Sequence, residues 1–304
     1  MMARIVGIGA CVADTLINVP RYPAEDTKMR ATSTKVAGGG PVATGLVAVS
    51  KLGVEAGYIG VLSDDNGGLF LKKDFERYGV STENTEIKSG YRSFTSVIWL
   101  SAESTSRTCV FDKGDLPALR LTEKQLAAIA EADILMVDGN ELDAAVEAAK
   151  HARNNGTKVL YDCGGLYANV ERLLAYTDIM IPSEEFALGH TGAKTAEDAA
   201  KKLFELYHPE IVVITQGKRG GILFDGVGFT PYPIYPAEVV DSNGSGDVFH
   251  GAFAAGMAYG FDAVKCCHFS SAVSAMKCMG IGARESVPSF EAVKDYMKEN
   301  GYEL

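Results

Sequence analysis

The stretch from Asp241 to Phe249 reads Asp-Ser-Asn-Gly-Ser-Gly-Asp-Val-Phe and stands between an apolar pair, Val239-Val240, and an apolar run from His250 to Tyr259. This order predicts a strand, a glycine-rich turn and then a helix that begins at Asp247. The first backbone N–H groups of a helix have no partner within it, and the helix dipole directs its positive end toward them. The stretch therefore predicts an anion site formed by the backbone N–H groups of Asn243, Gly244, Ser245 and Gly246.

Asp247 is predicted to lie beside this anion site rather than to be a ligand in it. A carboxylate repels phosphate, but it can accept the proton of a hydroxyl group that attacks phosphorus. The helix dipole keeps such a carboxylate ionised. The alternative is that these residues only cap a helix, but capping requires neither two glycines nor the second acid at Asp241. The residues therefore favour phosphoryl transfer with Asp247 as general base.

The same nine residues resemble the C-terminal signature of the ribokinase-like (PfkB-type) carbohydrate kinases, Asp-Thr-x-Gly-Ala-Gly-Asp-x-Phe. Both acids, both glycines and Phe249 match, while Ser242 and Ser245 replace Thr and Ala. The resemblance implies that Asp247 is the catalytic base and that the Gly244–Gly246 turn, including Ser245, holds the transferring phosphoryl group. It also implies ATP and Mg²⁺ as cofactors. Many members of the family use a monovalent cation such as K⁺ beside the anion hole, and Asp241 and Asn243 are the matching positions.

Length and composition fit an ordinary α/β enzyme. The chain has 304 residues and a net charge of −10, which argues against nucleic acid or an anionic membrane surface as its main partner. Its six cysteines show no Cys-x-x-Cys pair and are predicted to be reduced thiols. No stretch approaches the roughly 20 apolar residues of a membrane span, and no cleavable leader is recognisable. We therefore expect a cytoplasmic protein.

From Leu121 onward, helical and buried-strand patterns alternate, which predicts a parallel sheet covered on both faces. Two segments, about 14–36 and 95–111, do not fit this alternation. They are predicted to form a small antiparallel lid at the carboxyl ends of the main strands, where open α/β sheets bind ligands. The family resemblance implies one domain over residues 1–304, a three-layer αβα sandwich with a mostly parallel sheet and a β lid.

The first predicted strand, Arg4 to Gly9, contains Gly7-x-Gly9 but not a dinucleotide-binding fingerprint, because no further glycine opens a helix and Asp14 follows at once. Residues Gly39 to Thr44 resemble the family's first signature, Gly-Gly-x-x-x-Asn. The resemblance implies that Asp14, Gly39, Gly40 and residue 44 contact the acceptor. The alternative is that Asp14 is an ordinary turn residue. Thr44 replaces the usual Asn, which leaves the acceptor's identity open.

Local likeness to ketohexokinases occurs at residues 22–30, 112–116 and 277–280. Ketohexokinases carry Asn at the positions of Pro41 and Thr44, however. A fructose acceptor therefore does not follow from the likeness.

The nucleotide side is predicted around residues 215–221, which match the family's Thr-x-Gly-x-x-Gly loop through Thr215, Gly217 and Gly220. A plain strand–turn–strand would also favour glycines there. Gly280, Gly282 and Ala283 fall where the family folds around adenine, although by themselves they indicate only the end of a helix.

Two charged positions complete the predicted site. The family commonly has Asn-x-x-Glu after the strand that ends near residue 181, with the Glu ordering Mg²⁺ waters, but this chain has Ser-Glu-Glu-Phe at 183–186. We predict that Glu185 takes over, while noting that two acids also suit the N-terminus of any helix. Arg107, in the predicted lid, is the candidate cation for the acceptor or the transferred phosphate; the alternative is an exposed strand-edge arginine.

The sequence therefore predicts an ATP-dependent kinase acting on a sugar or sugar-like alcohol. A nucleoside kinase on the same scaffold and a sugar-binding sensor without strong catalysis are the alternatives. The apolar lid residues Phe94, Val97, Trp99 and Val110 predict a homodimer formed through the lid.

Overall fold

The computed structural model describes residues 4–104 and 106–304. Its larger sheet has nine strands in the order β13-β12-β11-β10-β9-β8-β1-β4-β5. The seven strands from β11 to β5 run parallel, and β12 and β13 form an antiparallel hairpin at one edge. The strands are β1 (Arg4–Ile8), β4 (Glu55–Ser63), β5 (Ser81–Lys88), β8 (Ile134–Val137), β9 (Lys158–Cys163), β10 (Ile179–Pro182), β11 (Ile211–Thr215), β12 (Gly221–Phe224) and β13 (Phe229–Tyr232).

Helices cover both faces of this sheet, as the alternating pattern predicted. Successive residues of β1 show why, since Ile5 belongs to one buried apolar cluster and Val6 to the other. The helices are α1 (Pro41–Lys51), α2 (Asn66–Arg77), α3 (Glu123–Ala130), α4 (Leu142–Asn155), α5 (Glu171–Leu174), α6 (Glu184–Thr191), α7 (Ala196–Tyr207), α8 (Ser245–Ala258), α9 (Ala263–Cys278) and α10 (Phe290–Glu299).

A second, small sheet has the order β3-β2-β6-β7 and consists of β2 (Val12–Val19), β3 (Ser33–Gly39), β6 (Thr95–Ser101) and β7 (Ser106–Asp112). The two outer pairs are antiparallel, but the central pair, β2 with β6, is parallel. The expected small antiparallel sheet is confirmed in its outer pairs, and the parallel central pair is the exception. The reason is that β2 follows β1 and β6 follows β5, so both enter the small sheet from the carboxyl ends of parallel strands.

The ribokinase-like α/β architecture is confirmed, with differences at element boundaries. Helix α8 begins at Ser245, two residues before the predicted start, and β5 was not predicted because its polar sequence lies at the edge of the large sheet. The small sheet spans 12–39 and 95–112, slightly more than the predicted segments. In the described part of the chain, no helix is long and apolar enough to cross a membrane.

Candidate active site

The turn from Asp241 to Gly246, called the anion turn below, ends at the first turn of α8. Gly244 has a φ of 74°, in the left-handed region, and a Cβ at this position would lie 2.6 Å from the Cβ of Ala283. Glycine is required there for both reasons. Gly246 differs, because among the described residues, apart from its chain neighbours and the backbone of its own helix, no atom lies within 4 Å of the place where its Cβ would stand. The space in front of Gly246 is open, as an anion site at a helix N-terminus requires.

Asp247 lies in the first turn of α8, and its side chain makes no hydrogen bond within the described residues. Burial raises the pKa of this carboxyl group; His250 acts against that rise and Asp138 adds to it. A half-buried carboxylate without a protein donor is available to accept a proton from a bound hydroxyl group.

Helix α8 is placed by close packing against α1, the helix that follows the paired glycines. A Cβ on Gly251 would lie 2.2 Å from the carbonyl oxygen of Gly45. The two backbones therefore approach each other more closely than any side chain would allow. This contact sets Asp247 against the end of α1 that carries the acceptor signature.

Asp14 lies on β2 of the small sheet and is buried. Its Oδ1 accepts a hydrogen bond from the Ser96 hydroxyl at 2.6 Å, and a Cβ on Gly39 would stand 1.9 Å from Oδ2. Burial raises the pKa of Asp14; the Ser96 hydrogen bond and Arg284 lower it, and Asp247 raises it. The structure thus brings Asp14, Gly39 and Asp247 into one region of the molecule.

Gly38, Gly39 and Gly40 form the hinge between β3 and α1, and a side chain that sequence reasoning missed holds it. The guanidinium of Arg284 is buried and donates to Asp74 Oδ2 at 2.6 Å and to the carbonyl oxygen of Gly39 at 2.8 Å. Gly40 has a φ of 97° and serves as the N-cap of α1. The hinge is therefore tied to the end of the chain that follows α9.

The same guanidinium changes the interpretation of Thr44. The hydroxyl of Thr44 is buried and accepts from Nε of Arg284 at 3.4 Å. Thr44 therefore lies beneath the hinge, where its hydroxyl contacts Arg284. Its contact with the acceptor stays a prediction.

Arg107 is exposed on β7, and its Nη1 donates to Oδ1 of Asn243 at 3.2 Å. The predicted lid cation thus lies directly across from the anion turn. The hydrogen bond joins the small sheet to the start of α8 over a separation of 136 residues.

The predicted nucleotide loop follows β11. Gly217 has a φ of 57° and open space beside it, whereas a Cβ on Gly220 would stand 2.2 Å from the carbonyl oxygen of Tyr232. Gly220 is therefore needed for packing, and Gly217 is the glycine that leaves room for a ligand. Thr215, at the end of β11, directs its hydroxyl to the carbonyl oxygen of Pro182 at 3.5 Å.

The acidic pair at the start of α6 is divided between two environments. Glu184 accepts from Gln216 Nε2 at 2.8 Å and pairs with Arg219, so it faces the nucleotide loop. Glu185 is exposed. Glu184 is therefore the acid of the pair that faces the nucleotide loop, and the Mg²⁺-ordering role assigned to Glu185 stays a prediction. Ser183, at the position of the usual Asn, caps α6 by accepting from the N–H of Phe186.

The segment from Gly280 to Ala283 packs on the anion turn. The N–H of Gly282 donates to Asp241 Oδ2 at 2.9 Å, and the N–H of Asn243 donates to Asp241 Oδ1 at 2.9 Å. A Cβ on Gly280 would stand 2.6 Å from Cβ of Ser286. Asp241 thus fixes the turn and the predicted adenine segment to each other.

Two buried acids at the carboxyl ends of strands were not predicted. Asp138, after β8, accepts from the N–H groups of Ala10 at 2.9 Å and Val42 at 3.3 Å, and so joins β1 to α1. Asp162, on β9, has Oδ2 at 3.2 Å from Nδ1 of His250. Both acids follow apolar strand residues in the sequence, and this pattern was the signal that could have identified them.

His250 is buried in α8, one turn after Asp247. Its Nδ1 lies 2.6 Å from the carbonyl oxygen of Gly246, and its Nε2 lies 2.8 Å from that of Ile181. Each ring nitrogen therefore faces a backbone acceptor. Burial raises the pKa of Asp162, and His250 opposes that rise. The contacts of His250 with Ile181 and Asp162 hold the first turn of α8 against β9 and β10.

Comparisons with known proteins agree with this geometry. The sequence matches the profile described as pfkB family carbohydrate kinase over residues 2–289. It is 27% identical over 301 residues to an ATP-dependent ribose-1-phosphate kinase of Halopiger xanaduensis, covering 98% of this chain and 99% of the relative. It is 27% identical over 322 residues to a 5-dehydro-2-deoxygluconokinase of Clostridium tetani, covering 97% and 93%.

The fold also superposes on solved structures. The ribokinase of Arabidopsis thaliana, determined with ribose and ATP, gives a TM-score of 0.88 at 24% identity, with 98% of this chain and 99% of that chain covered. With the family profile matched over almost the whole length, the chain belongs to the pfkB family of carbohydrate kinases and is an ATP-dependent carbohydrate kinase.

Proposed function

We propose that this kinase transfers the γ-phosphoryl group of ATP to a hydroxyl group of a sugar or sugar-like alcohol, with Asp247 as general base. The proposal rests on two neighbouring features. Within the described residues the Asp247 carboxylate accepts no hydrogen bond, so it can remove a proton from the acceptor, and the space in front of Gly246 leaves room for the phosphoryl group.

The acceptor is proposed to bind below the small sheet, against Asp14 and the hinge glycines, with its reacting hydroxyl toward Asp247. The carboxylate of Asp14 accepts hydrogen bonds, which suits a hydroxyl-rich molecule. The small sheet would act as a lid, and Arg107 would bring positive charge to the phosphoryl group from that side. The contact between Arg107 and Asn243 supports this placement.

ATP is proposed to lie along the nucleotide loop and the Gly280–Ala283 segment, with its phosphates directed to the anion turn. The open side of Gly217 and the packing of Ala283 on Gly244 support this path. The transfer is in line, and the N–H groups of Gly244, Ser245 and Gly246 stabilise the charge that develops on the phosphoryl oxygens.

Mg²⁺ fits this site as a companion of ATP. In the described residues no three His, Cys, Asp or Glu side chains come together as a metal site, and Mg²⁺ commonly keeps water and phosphate oxygens as ligands. Glu184, which faces the nucleotide loop, is the residue proposed to hold its water. When bound, Mg²⁺ would neutralise charge on the phosphates.

A homodimer through the small sheet is proposed as the assembly. Along β7, Val110 is 69% and Phe111 is 61% exposed, and Trp99 on β6 is 38% exposed. Apolar side chains on an open sheet edge favour pairing with a second copy.

Phosphoryl transfer should be measured with ATP and a panel of free sugars, sugar phosphates, sulfo-sugars, keto-deoxy sugars and nucleosides, with product identified by mass. Turnover on a sugar or sugar-like alcohol is expected. Turnover on nucleosides alone would replace the proposed acceptor class. Saturable sugar binding without turnover would favour the sensor alternative.

A further inference from the structure

Lys277 is a buried lysine beside the anion turn, and it is not one of the residues with a role in the proposed mechanism. It lies in the last turn of α9 and is 0% exposed. Its Nζ donates to the carbonyl oxygen of Asp241 at 2.7 Å. Removing an ammonium group from water has a large energetic cost, so a buried lysine requires compensating negative charge or function.

That compensation comes from the two acids of the turn. Burial lowers the pKa of Lys277, while the negative charges of Asp241 and Asp247 act in the opposite direction. The ammonium group donates to an oxygen that can only accept, which favours its protonated form. Lys277 therefore places a fixed positive charge in the field of both acids.

The family resemblance predicted a monovalent cation at Asp241 and Asn243, but the oxygens of Asp241 and the side-chain oxygen of Asn243 already accept hydrogen bonds. Both carboxylate oxygens of Asp241 accept backbone N–H groups, and its carbonyl oxygen accepts Lys277 Nζ. Oδ1 of Asn243 accepts from Arg107. The ammonium group of Lys277, which contacts the carbonyl oxygen of Asp241, would also repel a K⁺ ion bound to the same residue. The predicted cation site therefore does not fit the residues present.

We propose that the ammonium group of Lys277 takes the place of the monovalent cation, so that the enzyme carries its own positive charge beside the anion turn and does not require K⁺. Lys277 is then a positioning residue. It holds the backbone of Asp241, and through the carboxylate of Asp241 it holds Asn243 and Gly282. This inference rests on the proposed phosphoryl transfer at Asp247, because it assigns a role within that site.

The unmodified enzyme provides the first test. Turnover in K⁺, Na⁺ and tetramethylammonium buffers of equal ionic strength is expected to agree within about twofold. Activation by K⁺ of about tenfold or more would overturn the proposal. Thermal unfolding in the same buffers needs no acceptor, and it should show no shift specific to K⁺ because no K⁺ is bound by the native state. Failure to find an acceptor would thus count against the proposed function without deciding the cation question.

Lys277→Met provides the second test, since the Met side chain ends at Cε and leaves the place of Nζ vacant. In tetramethylammonium buffer its turnover is expected to fall by about tenfold or more, and K⁺ or NH₄⁺ should restore part of it and raise the melting temperature. Full turnover without any small cation would overturn the proposal. So would a folded variant that gains neither turnover nor stability from K⁺ and NH₄⁺.

Lys51→Met is the matched control. Lys51 is a half-buried lysine whose Nζ, like that of Lys277, donates to backbone carbonyl oxygens. These belong to Arg284, at 3.2 Å, and Glu285, at 2.7 Å. Its loss should lower stability without creating any response to K⁺. If Lys277→Met does not fold, Lys277→Arg keeps the charge and should remain insensitive to K⁺, whereas K⁺ activation of that variant would contradict the proposal.

Discussion

Nη1 of Arg107, on β7, donates a hydrogen bond of 3.2 Å to Oδ1 of Asn243 in the anion turn. This hydrogen bond is the direct link between the small sheet and the residues proposed to hold the transferring phosphoryl group. Both side chains are accessible to solvent, so a bound phosphate could take the place of Asn243 as the partner of Arg107. Closure of the small sheet would therefore deliver a positive charge to the reaction site.

Arg107→Ala is expected to reduce kcat/KM by about tenfold to a hundredfold, because a donor to the developing charge is lost. Stability should change little, since exposed hydrogen-bonded charges contribute little to folding. Steady-state kinetics and thermal unfolding check both parts. Arg92→Ala is the control, because Arg92 is an exposed arginine paired with Asp112 and Asp115 rather than with the anion turn. Equal losses of activity in the two variants would contradict the assigned role of Arg107.

Gly246→Ala separates folding from phosphate binding. Outside its chain neighbours and its own helix backbone, no atom of the described residues lies within 4 Å of the added methyl group. The residue also lies in the first turn of α8, so the variant should fold with unchanged or slightly higher stability. The methyl group would enter the proposed phosphate position, and turnover is expected to fall by about a hundredfold.

Gly228→Ala is the control for this change, because Gly228 also has nothing within 4 Å and lies in the turn between β12 and β13. It should keep normal turnover. A Gly246→Ala enzyme that works as well as Gly228→Ala would show that the space before Gly246 is not where the phosphoryl group binds.

The pH dependence of turnover should reveal the effect of His250 on the base. Burial raises the pKa of Asp247 above the ordinary Asp value, and His250 lowers it. A general base is inactive when protonated, so kcat/KM falls as the pH drops through that pKa. His250→Asn keeps a donor for the carbonyl oxygen of Gly246 but removes the positive charge, and the acid limb should therefore move to higher pH.

His268→Asn is the corresponding control. His268 is partly buried beside Tyr235 and Tyr302, away from the ion pair with Asp162, and its replacement should leave the acid limb in place. If the acid limb of the kcat/KM profile is unchanged or moves to lower pH in a folded His250→Asn enzyme, His250 has no electrostatic effect of the expected sign on Asp247.

The proposed dimer can be tested through β7. Sedimentation at micromolar concentration should show a dimer, and Val110→Lys should give a monomer, because a charge would replace an exposed apolar side chain at the proposed interface. Val227→Lys is the control, since Val227 is exposed in the turn after β12 and outside the small sheet. A monomeric parent protein would contradict the assembly.

Local patterns were sufficient to predict the backbone turns at 241–246 and 215–221 and the alternating large sheet. The turn at Gly244 and the turn at Gly217 both have left-handed backbone, and glycine in the sequence reports this requirement directly. The role of Asp14 came from the family resemblance, and the structure places this residue on β2.

Long-range contacts decided the rest. Arg284 reaches Asp74 across 210 residues, and His250 reaches the carbonyl oxygen of Ile181 across 69, so no local pattern announces either contact. No local pattern indicates the contact of Lys277 either, because the carbonyl oxygen that it binds belongs to residue 241. The orientation of Glu184 rather than Glu185 toward the nucleotide loop likewise depends on Gln216 and Arg219.

The central claim is that Asp247 is the general base, and Asp247→Asn tests it most directly. Asn keeps the shape of the side chain but does not accept the proton, while it remains able to cap a helix. We expect turnover on the identified acceptor to fall by about 10²–10⁴-fold, with ATP affinity unchanged or higher because a negative charge near the phosphates is removed. A folded Asp247→Asn enzyme whose turnover stays within about threefold of the parent would contradict the proposed mechanism.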